Sequence, residues 1–214
     1  MVKVKYLLMK LLKPSILVLF AATTFVSGAV IVAQTSVADT GDKITTPSSL
    51  KTPIVNRAIT ESEVLAAQKA WGEALVAIST TYDTKGKASA KTLAGKVIDD
   101  AYGYQFGPVL FKPTLTVAPQ TFRTTRAGAL AYFVGDDPAF PLDKGFALKS
   151  WRKVEIKNAG IWITGNTATT MGNVMITDKQ GKVTTVDKTW QFLKDDQGKL
   201  RIITHHSSLP YTVK

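Results

Sequence analysis

Residues 151–208 read WRKVEIKNAGIWITGNTATTMGNVMITDKQGKVTTVDKTWQFLKDDQGKLRIITHHSS, and they indicate the architecture more clearly than any other part of the chain. Apolar and polar side chains alternate through most of this stretch, the pattern of strands with one buried face. Short sequences rich in Gly, Asn or Asp interrupt it and read as hairpin turns. The stretch therefore predicts four strands, at residues 151–163, 167–177, 183–194 and 200–208, separated by turns at residues 165–166, 179–181 and 195–198.

Helices are expected on the N-terminal side of these strands. Thr60 followed by Glu63 is a capping-box sequence, and apolar residues then recur at helical spacing. The patterns predict, in chain order, a helix ending near Thr81, a turn at 83–86, a helix at 88–102, a short strand at 109–111 that bends at Pro113, and a helix at 124–133. Helices followed by antiparallel strands are typical of the α+β class. A bent antiparallel sheet around the N-terminal helices would form a cone with one open mouth.

The first 38 residues have the order of a secretory signal peptide. Four lysines and no acidic residue precede an apolar run at residues 16–33, and the small residues Ser36 and Ala38 flank Val37 just before Asp39. We expect a signal peptide at 1–38, a flexible linker at 39–58, and a domain at 59–214. The protein would then be exported, periplasmic or secreted, with no stable membrane insertion after cleavage. An uncleaved membrane anchor is the alternative, because about 18 apolar residues can just span a bilayer.

The charge of the chain is positive but dispersed. The formal net charge is +11, and it falls to +7 without residues 1–38, which hold four lysines and no acid. No run of five or six basic residues occurs, and aromatic residues do not alternate with basic ones as in nucleic-acid readers. The balance favours small anions in a pocket and predicts no nucleic-acid partner.

Metal chemistry is restricted by the residues available. The chain has no Cys and only two His, His205 and His206. One chain therefore cannot form a three-histidine zinc site or any cysteine-containing site, although a metal shared between subunits stays possible. Adjacent strand residues point to opposite faces, so one His points into the cone and the other outward, and parity alone does not say which. The paired Asp residues at 99–100, 136–137 and 195–196 fall at turns or helix ends.

Other enzyme classes find little support. No G-x-S-x-G sequence exposes a serine nucleophile, and residues 103–107 form a turn and not a phosphate-binding loop. An isomerase or dehydratase would need a carboxylate base, and only Glu155 and Asp187 lie inside predicted strands.

Four segments together resemble iota-class carbonic anhydrases. They are Leu110-Phe111-Lys112-Pro113-Thr114, the stretch GALAYFVG at 128–135, DKGFALK at 143–149, and His205-His206-Ser207-Ser208-Leu209-Pro210. The likeness covers roughly residues 60–212. It implies a cystatin-like, nuclear-transport-factor-2-like α+β cone. Ser150 stands where the family pattern leads us to expect Pro, which concerns a loop.

The resemblance also implies a site and a reaction. It places Thr114, Tyr132, His205 and Ser207 in a largely apolar pocket at the mouth of the cone. It implies reversible hydration of CO2 to bicarbonate, with no cofactor expected, although manganese or zinc has been described for some members. A histidine whose ordinary pKa is about 6.5 can accept or relay the proton of water, and hydroxyls can bind bicarbonate.

Two functions of different classes are therefore carried forward. The first is an exported carbonic anhydrase that acts as a homodimer. The second is a non-catalytic module of the same fold, which binds a small anion or mediates assembly, because one fold supports many functions.

Overall fold

The structure, a computed structural model, describes residues 56–213. The predicted signal peptide and most of the predicted linker lie outside these residues. The elements are α1 (Glu61–Ala101), β1 (Leu110–Lys112), α2 (Arg126–Val134), a 3-10 turn (Phe146–Leu148), β2 (Trp151–Thr164), β3 (Thr167–Asp178), β4 (Val183–Lys194) and β5 (Leu200–Ser208). None of the helices between residues 56 and 213 has the length and apolar character needed to cross a membrane.

Helix α1 begins at the predicted capping box. The Glu63 N–H donates to Thr60 Oγ1 at 3.3 Å, and Glu63 Oε2 accepts from the Thr60 N–H at 2.8 Å. The two helices predicted here meet at a kink within α1, where Gly86 leaves helical backbone angles, with φ at 77° and ψ at 178°. Glycine adopts a positive φ at little cost, so the chain can turn at this residue from one helical segment into the next.

The four long strands pair in the predicted antiparallel order, and β1 adds a fifth strand at the edge. The sheet order is β1-β5-β4-β3-β2. Strand β1 runs parallel to β5, with Phe111 beside His205, so the sheet is mixed and not wholly antiparallel as expected. A long connection, and not a hairpin, joins β1 to β5. Such a connection allows the two strands to pair in either the parallel or the antiparallel direction.

The sheet curves around α1. The helix packs against β2, at one edge of the sheet, and also against β5, near the other edge. A bulge in β2 between Asn158 and Gly160 assists this curvature, and Gly172 of β3 lies against it. A Cβ atom on Gly172 would lie 2.2 Å from the Lys157 carbonyl oxygen, so only glycine fits. The α+β class and the bent sheet around the N-terminal helix are confirmed.

Candidate active site

Strand β5 turns the two histidines to opposite faces. His205 and Ser207 are each 2% exposed and point into the core, whereas His206 is exposed and Ser208 is half-buried on the outer face. A bulge sets this phase, because Phe192 pairs with Ile202 while Gln191 pairs with Thr204, which leaves Ile203 as an extra residue. The structure therefore places on the inner face the His–Ser pair that the resemblance implied.

Three hydroxyl groups from three parts of the chain meet at the Ser207 end of β5. Ser207 Oγ and Thr114 Oγ1 are 2.6 Å apart, and either can donate to the other. The Leu115 N–H donates to Tyr132 Oη at 3.4 Å, which holds the α2 phenol beside the segment that carries Thr114. We call Thr114, Tyr132 and Ser207 the hydroxyl cluster. Lys112 adds positive charge, because its ammonium donates to the Ser207 carbonyl oxygen at 3.1 Å.

Burial fixes the protonation state of Tyr132. The side chain is 5% exposed, stacked on Phe146 and edge-on to Phe111. Desolvation raises the pKa of the Tyr132 phenol, so the group keeps its proton at neutral pH. The cluster can therefore offer one permanent donor beside two hydroxyls that both donate and accept.

His205 lies next to the cluster, with both of its ring nitrogens engaged by other side chains. Nδ1 is 2.9 Å from Tyr102 Oη, and Nε2 is 3.0 Å from Lys188 Nζ. Phe111 stacks on the imidazole at 4.4 Å between ring centroids. Burial, and then the charge of Lys188, lower the pKa of His205 well below its usual value, so the ring is neutral at neutral pH.

Lys188 is a buried residue beside His205 that the sequence reasoning did not single out. It is 4% exposed, lies directly opposite Ser207 in the β4–β5 ladder, and has its Nζ 4.2 Å from the Trp71 ring centroid. Burial lowers its pKa from 10.5 to about 7. A signal was present in the sequence, because Lys188 stands in phase with Val186, Trp190 and Phe192 on a strand of period two. A lysine among inward apolar positions is expensive to bury and often functional.

A cavity of about 170 Å³ opens beside the hydroxyl cluster. Leu115, Tyr132, Leu142 and Phe146 supply much of its wall, and the exposed Lys144 and Lys149 stand at its rim. A larger groove of about 630 Å³ runs between α1 and β2, but none of the four expected site residues lines it. We place the candidate site at the smaller cavity, because Tyr132 of the hydroxyl cluster lines it, whereas Thr114, Ser207 and His205 lie outside its lining.

The carboxylates considered from the sequence do not reach this interior. Glu155 is exposed and pairs with Lys153, and Asp187 is exposed and accepts from Asn173 on the outer face of the sheet. Within residues 56–213, no three His, Asp or Glu side chains come together in a way that could hold a metal ion. The arrangement supports hydrogen bonding and proton exchange by hydroxyls, an imidazole and an amine.

Known proteins share both the sequence and the fold. A family model for metal-independent carbonic anhydrase matches residues 62–209. The chain is 87% identical over 203 residues to a metal-independent carbonic anhydrase of Nostoc sp. (strain PCC 7120), covering 95% of this chain and 99% of that one.

Among solved structures, an iota-carbonic anhydrase from a cyanobacterium, complexed with bicarbonate, is 90% identical. The match has a TM-score of 0.74 and covers 77% of this chain and all of that one. A nuclear transport factor 2-like protein from Salmonella enterica is 16% identical over 71% of this chain and 96% of that one, with a TM-score of 0.37. By the family match and the high identity over most of its length, this chain belongs to the metal-independent carbonic anhydrase family.

Proposed function

We propose that this protein catalyses the reversible hydration of CO2 to bicarbonate at the hydroxyl cluster. The observation that carries the proposal is the Ser207–Thr114 hydroxyl pair, 2.6 Å apart, beside Tyr132, which lines a cavity with largely apolar walls. CO2 is uncharged and enters apolar surroundings readily, whereas its product is an anion that needs hydrogen-bond donors. A site with apolar walls and convergent hydroxyls suits both species.

The hydroxyl cluster supplies what the reaction requires from hydrogen bonds. Hydration joins a water oxygen to the CO2 carbon and places negative charge on the CO2 oxygens. The proton that the water loses passes through a Ser207 or Thr114 hydroxyl to solvent, which leaves bicarbonate. Ser207 and Thr114 can accept from the attacking water and donate to a developing carboxylate oxygen. Tyr132 donates throughout, because burial keeps its phenol protonated. The low dielectric of a buried site strengthens each of these bonds.

No cofactor is needed for this scheme, which agrees with the metal-independent family to which the chain belongs. The positive groups around the site belong to the chain itself. Lys112 bonds to the Ser207 carbonyl, and Lys144 and Lys149 stand at the cavity rim, where they favour an anionic product.

Stopped-flow CO2 hydration, measured before and after exhaustive chelation, tests the proposal. We expect a rate well above the buffer rate that chelation leaves unchanged. Bicarbonate binding without hydration would replace the proposal with the anion-binding module. Loss of activity on chelation, restored in proportion to added zinc or manganese, would overturn cofactor-free catalysis for this chain.

We also propose that residues 1–38 are a cleaved signal peptide and that the mature protein is periplasmic or secreted. Support comes from the charge and apolar pattern of the sequence, because residues 1–55 lie outside the described part of the chain. The positions of the four lysines, the apolar run and the small residues at 36 and 38 are the whole basis of this proposal.

A homodimer formed through the outer face of the sheet is proposed as well. Trp162 of β2 is 75% exposed and Met171 of β3 is 61% exposed, a cost in water that a second copy would remove. Light scattering should give twice the chain mass, and Met171→Glu should shift the protein toward monomer. A monomeric parent protein at micromolar concentration would contradict the proposal.

A further inference from the structure

Four buried side chains form one hydrogen-bonded chain behind the hydroxyl cluster. Trp71 Nε1 is 3.0 Å from Tyr102 Oη, Tyr102 Oη is 2.9 Å from His205 Nδ1, and His205 Nε2 is 3.0 Å from Lys188 Nζ. All four residues are 5% exposed or less. Bulk solvent therefore does not reach these groups, and each of them has a hydrogen-bond partner among the other three.

The donor and acceptor of each of these hydrogen bonds follow from Trp71. An indole nitrogen can only donate, so Tyr102 Oη accepts from Trp71. The Tyr102 proton then needs an acceptor, and His205 Nδ1 is the partner that the hydrogen bonds of residues 56–213 provide. A neutral imidazole that accepts at Nδ1 carries its proton at Nε2. Lys188 Nζ must consequently accept from His205, which only an uncharged amine can do.

The opposite arrangement leaves groups unsatisfied. A Lys188 ammonium would donate to Nε2, the ring would donate from Nδ1 to Tyr102, and the Tyr102 proton would have no acceptor among the described residues. The ammonium would also be buried, with no carboxylate of residues 56–213 within 4 Å of it. A cation–π contact with Trp71 favours the ammonium, but burying an unpaired ion generally costs more than such a contact returns.

The surroundings of Lys188 also suit an amine. Its Nζ lies 4.2 Å from the Trp71 ring centroid and 5.1 Å from that of Trp190. The two N–H bonds of an amine can point at these two π faces while its lone pair accepts from His205. Each hydrogen of the chain then has a partner, and no charge is buried.

We propose that Lys188 is a positioning residue. Its amine is uncharged at neutral to alkaline pH and accepts a hydrogen bond from the Nε2–H of His205. In doing so it keeps the imidazole neutral, in one tautomer and one orientation beside Ser207. The relevance of this arrangement to catalysis rests on the proposed CO2 hydration. The hydrogen-bonded arrangement itself is independent of that proposal.

Acid should break the hydrogen bond between His205 and Lys188, because an ammonium has no lone pair with which to accept a hydrogen bond. Burial lowers the pKa of Lys188 to about 7, so the change is expected as the pH falls through about 7. The groups packed on Lys188 are His205 from β5, Trp190 from β4 and Trp71 from α1, with Tyr102 behind His205. Of these, His205 resists protonation and Tyr102 resists ionisation, because burial lowers the pKa of the first and raises that of the second. His206 lies on the other face of β5.

Nitrogen NMR of the full chain labelled with ¹⁵N-histidine tests the tautomer directly. The chain has two histidines, so the spectrum holds two sets of ring signals, and His206→Ala identifies those of His205. At pH 8.5 we expect His205 to carry its proton on Nε2, and its signals to change as the pH falls through about 7. A proton on Nδ1 at pH 8.5 would overturn the proposal. The result does not depend on whether the protein hydrates CO2.

Two variants of similar length separate hydrogen bonding from packing. Lys188→Met removes the acceptor, whereas Lys188→Gln supplies an amide oxygen that can accept from Nε2–H. We expect Lys188→Met to abolish the single tautomer of His205 and to lower kcat by about tenfold or more, with little change in KM. We expect Lys188→Gln to restore much of the tautomer preference and much of kcat. Unchanged His206 signals establish that each variant is folded. If Met leaves the His205 tautomer and kcat unchanged, the positioning role is wrong. If the parent protein shows no hydration, the proposed function fails while the NMR result on Lys188 stands.

Discussion

Lys188 and Ser207 face each other directly across strands β4 and β5, and both are buried. Directly opposed residues in an antiparallel pair have Cβ atoms about 5 Å apart. The stem of the lysine therefore runs beside the serine that bonds to Thr114, while its Nζ reaches diagonally to His205. The hydroxyl cluster and the buried chain that ends at Lys188 are thus adjacent parts of one interior.

The two faces of β5 should differ in their effect on activity. His205→Ala, which removes the imidazole packed beside the cluster, and Ser207→Ala, which removes one of its hydroxyls, should each reduce CO2 hydration by about 100-fold, the scale on which oxyanion donors act. His206→Ala and Ser208→Ala are the matched controls on the outer face, and we expect nearly full activity from both. Stopped-flow rates on variants with unchanged circular dichroism decide the matter. Loss of activity only at 206 and 208 would mean that the reaction occurs on the outer face.

The hydroxyls of Thr114 and Tyr132 can be removed without changing the shape of either side chain. Thr114→Val and Tyr132→Phe should each lower kcat by about tenfold or more, because each deletes one donor at the cluster. Tyr104→Phe is the control, since the Tyr104 hydroxyl donates to the Arg123 carbonyl at 2.9 Å, outside the cluster. If Tyr104→Phe impairs hydration as much as Tyr132→Phe does, the loss comes from packing and not from the site.

Stability should depend on pH through Lys188. Its pKa is about 7 in the folded protein, lowered by burial from 10.5, so between these values the unfolded chain binds a proton that the folded chain does not. The free energy of unfolding should therefore rise from pH 7 to pH 9, by up to about 1.4 kcal/mol per pH unit from this group. Below pH 7 the contribution is absent. Urea unfolding of the parent protein and of Lys188→Met, at several pH values, measures this dependence. We expect the free energy of unfolding to change less with pH in Lys188→Met. If the free energies of unfolding of the two proteins change equally with pH, the folded protein keeps Lys188 charged.

Gly172 should tolerate no side chain. Gly172→Ala places a Cβ 2.2 Å from the Lys157 carbonyl oxygen, so the backbone of β2 or β3 must move. We expect a loss of about 2–3 kcal/mol in the free energy of unfolding. Gly160→Ala, in the same bulge but with nothing within 4 Å of its added Cβ, should change stability by less than about 0.5 kcal/mol. Equal effects of the two substitutions in denaturant titrations would contradict the close approach.

Export can be tested at the N-terminus. The mature protein should begin at Asp39, because Ser36 and Ala38 occupy the small positions of the best cleavage sequence after the apolar run. Edman sequencing or intact mass of protein recovered from outside the cytoplasm measures this. A Met1 terminus on that material would favour the membrane anchor.

The sequence predicted most of the sheet, because hairpin turns and period-two alternation are local signals. Strand β4 and strand β5 begin and end where the pattern indicated, at residues 183–194 and 200–208. The parallel pairing of β1 was not predicted, since it depends on a contact between segments about 90 residues apart. The break predicted between two helices at residues 83–86 lies at Gly86, but the sequence predicts a longer turn because glycine marks a break without fixing its backbone angles.

The candidate site was predicted only in part for a similar reason. Thr114, Tyr132, His205 and Ser207 came from a resemblance, and alternation alone left the orientation of β5 open. Counting by twos from the buried Ile202 would bring His206 inward, and only the bulge at Ile203 reverses this. Lys188, Tyr102 and Trp71 meet His205 through tertiary packing, which no single stretch of sequence shows.

The same bulge has an evolutionary consequence. The strand repeats each side chain once, as His-His and then Ser-Ser, so a slip of one residue would bring His206 and Ser208 to the places of His205 and Ser207. A lineage that lost one residue in the turn before β5 would therefore still present an imidazole and then a hydroxyl to the interior, in the same order.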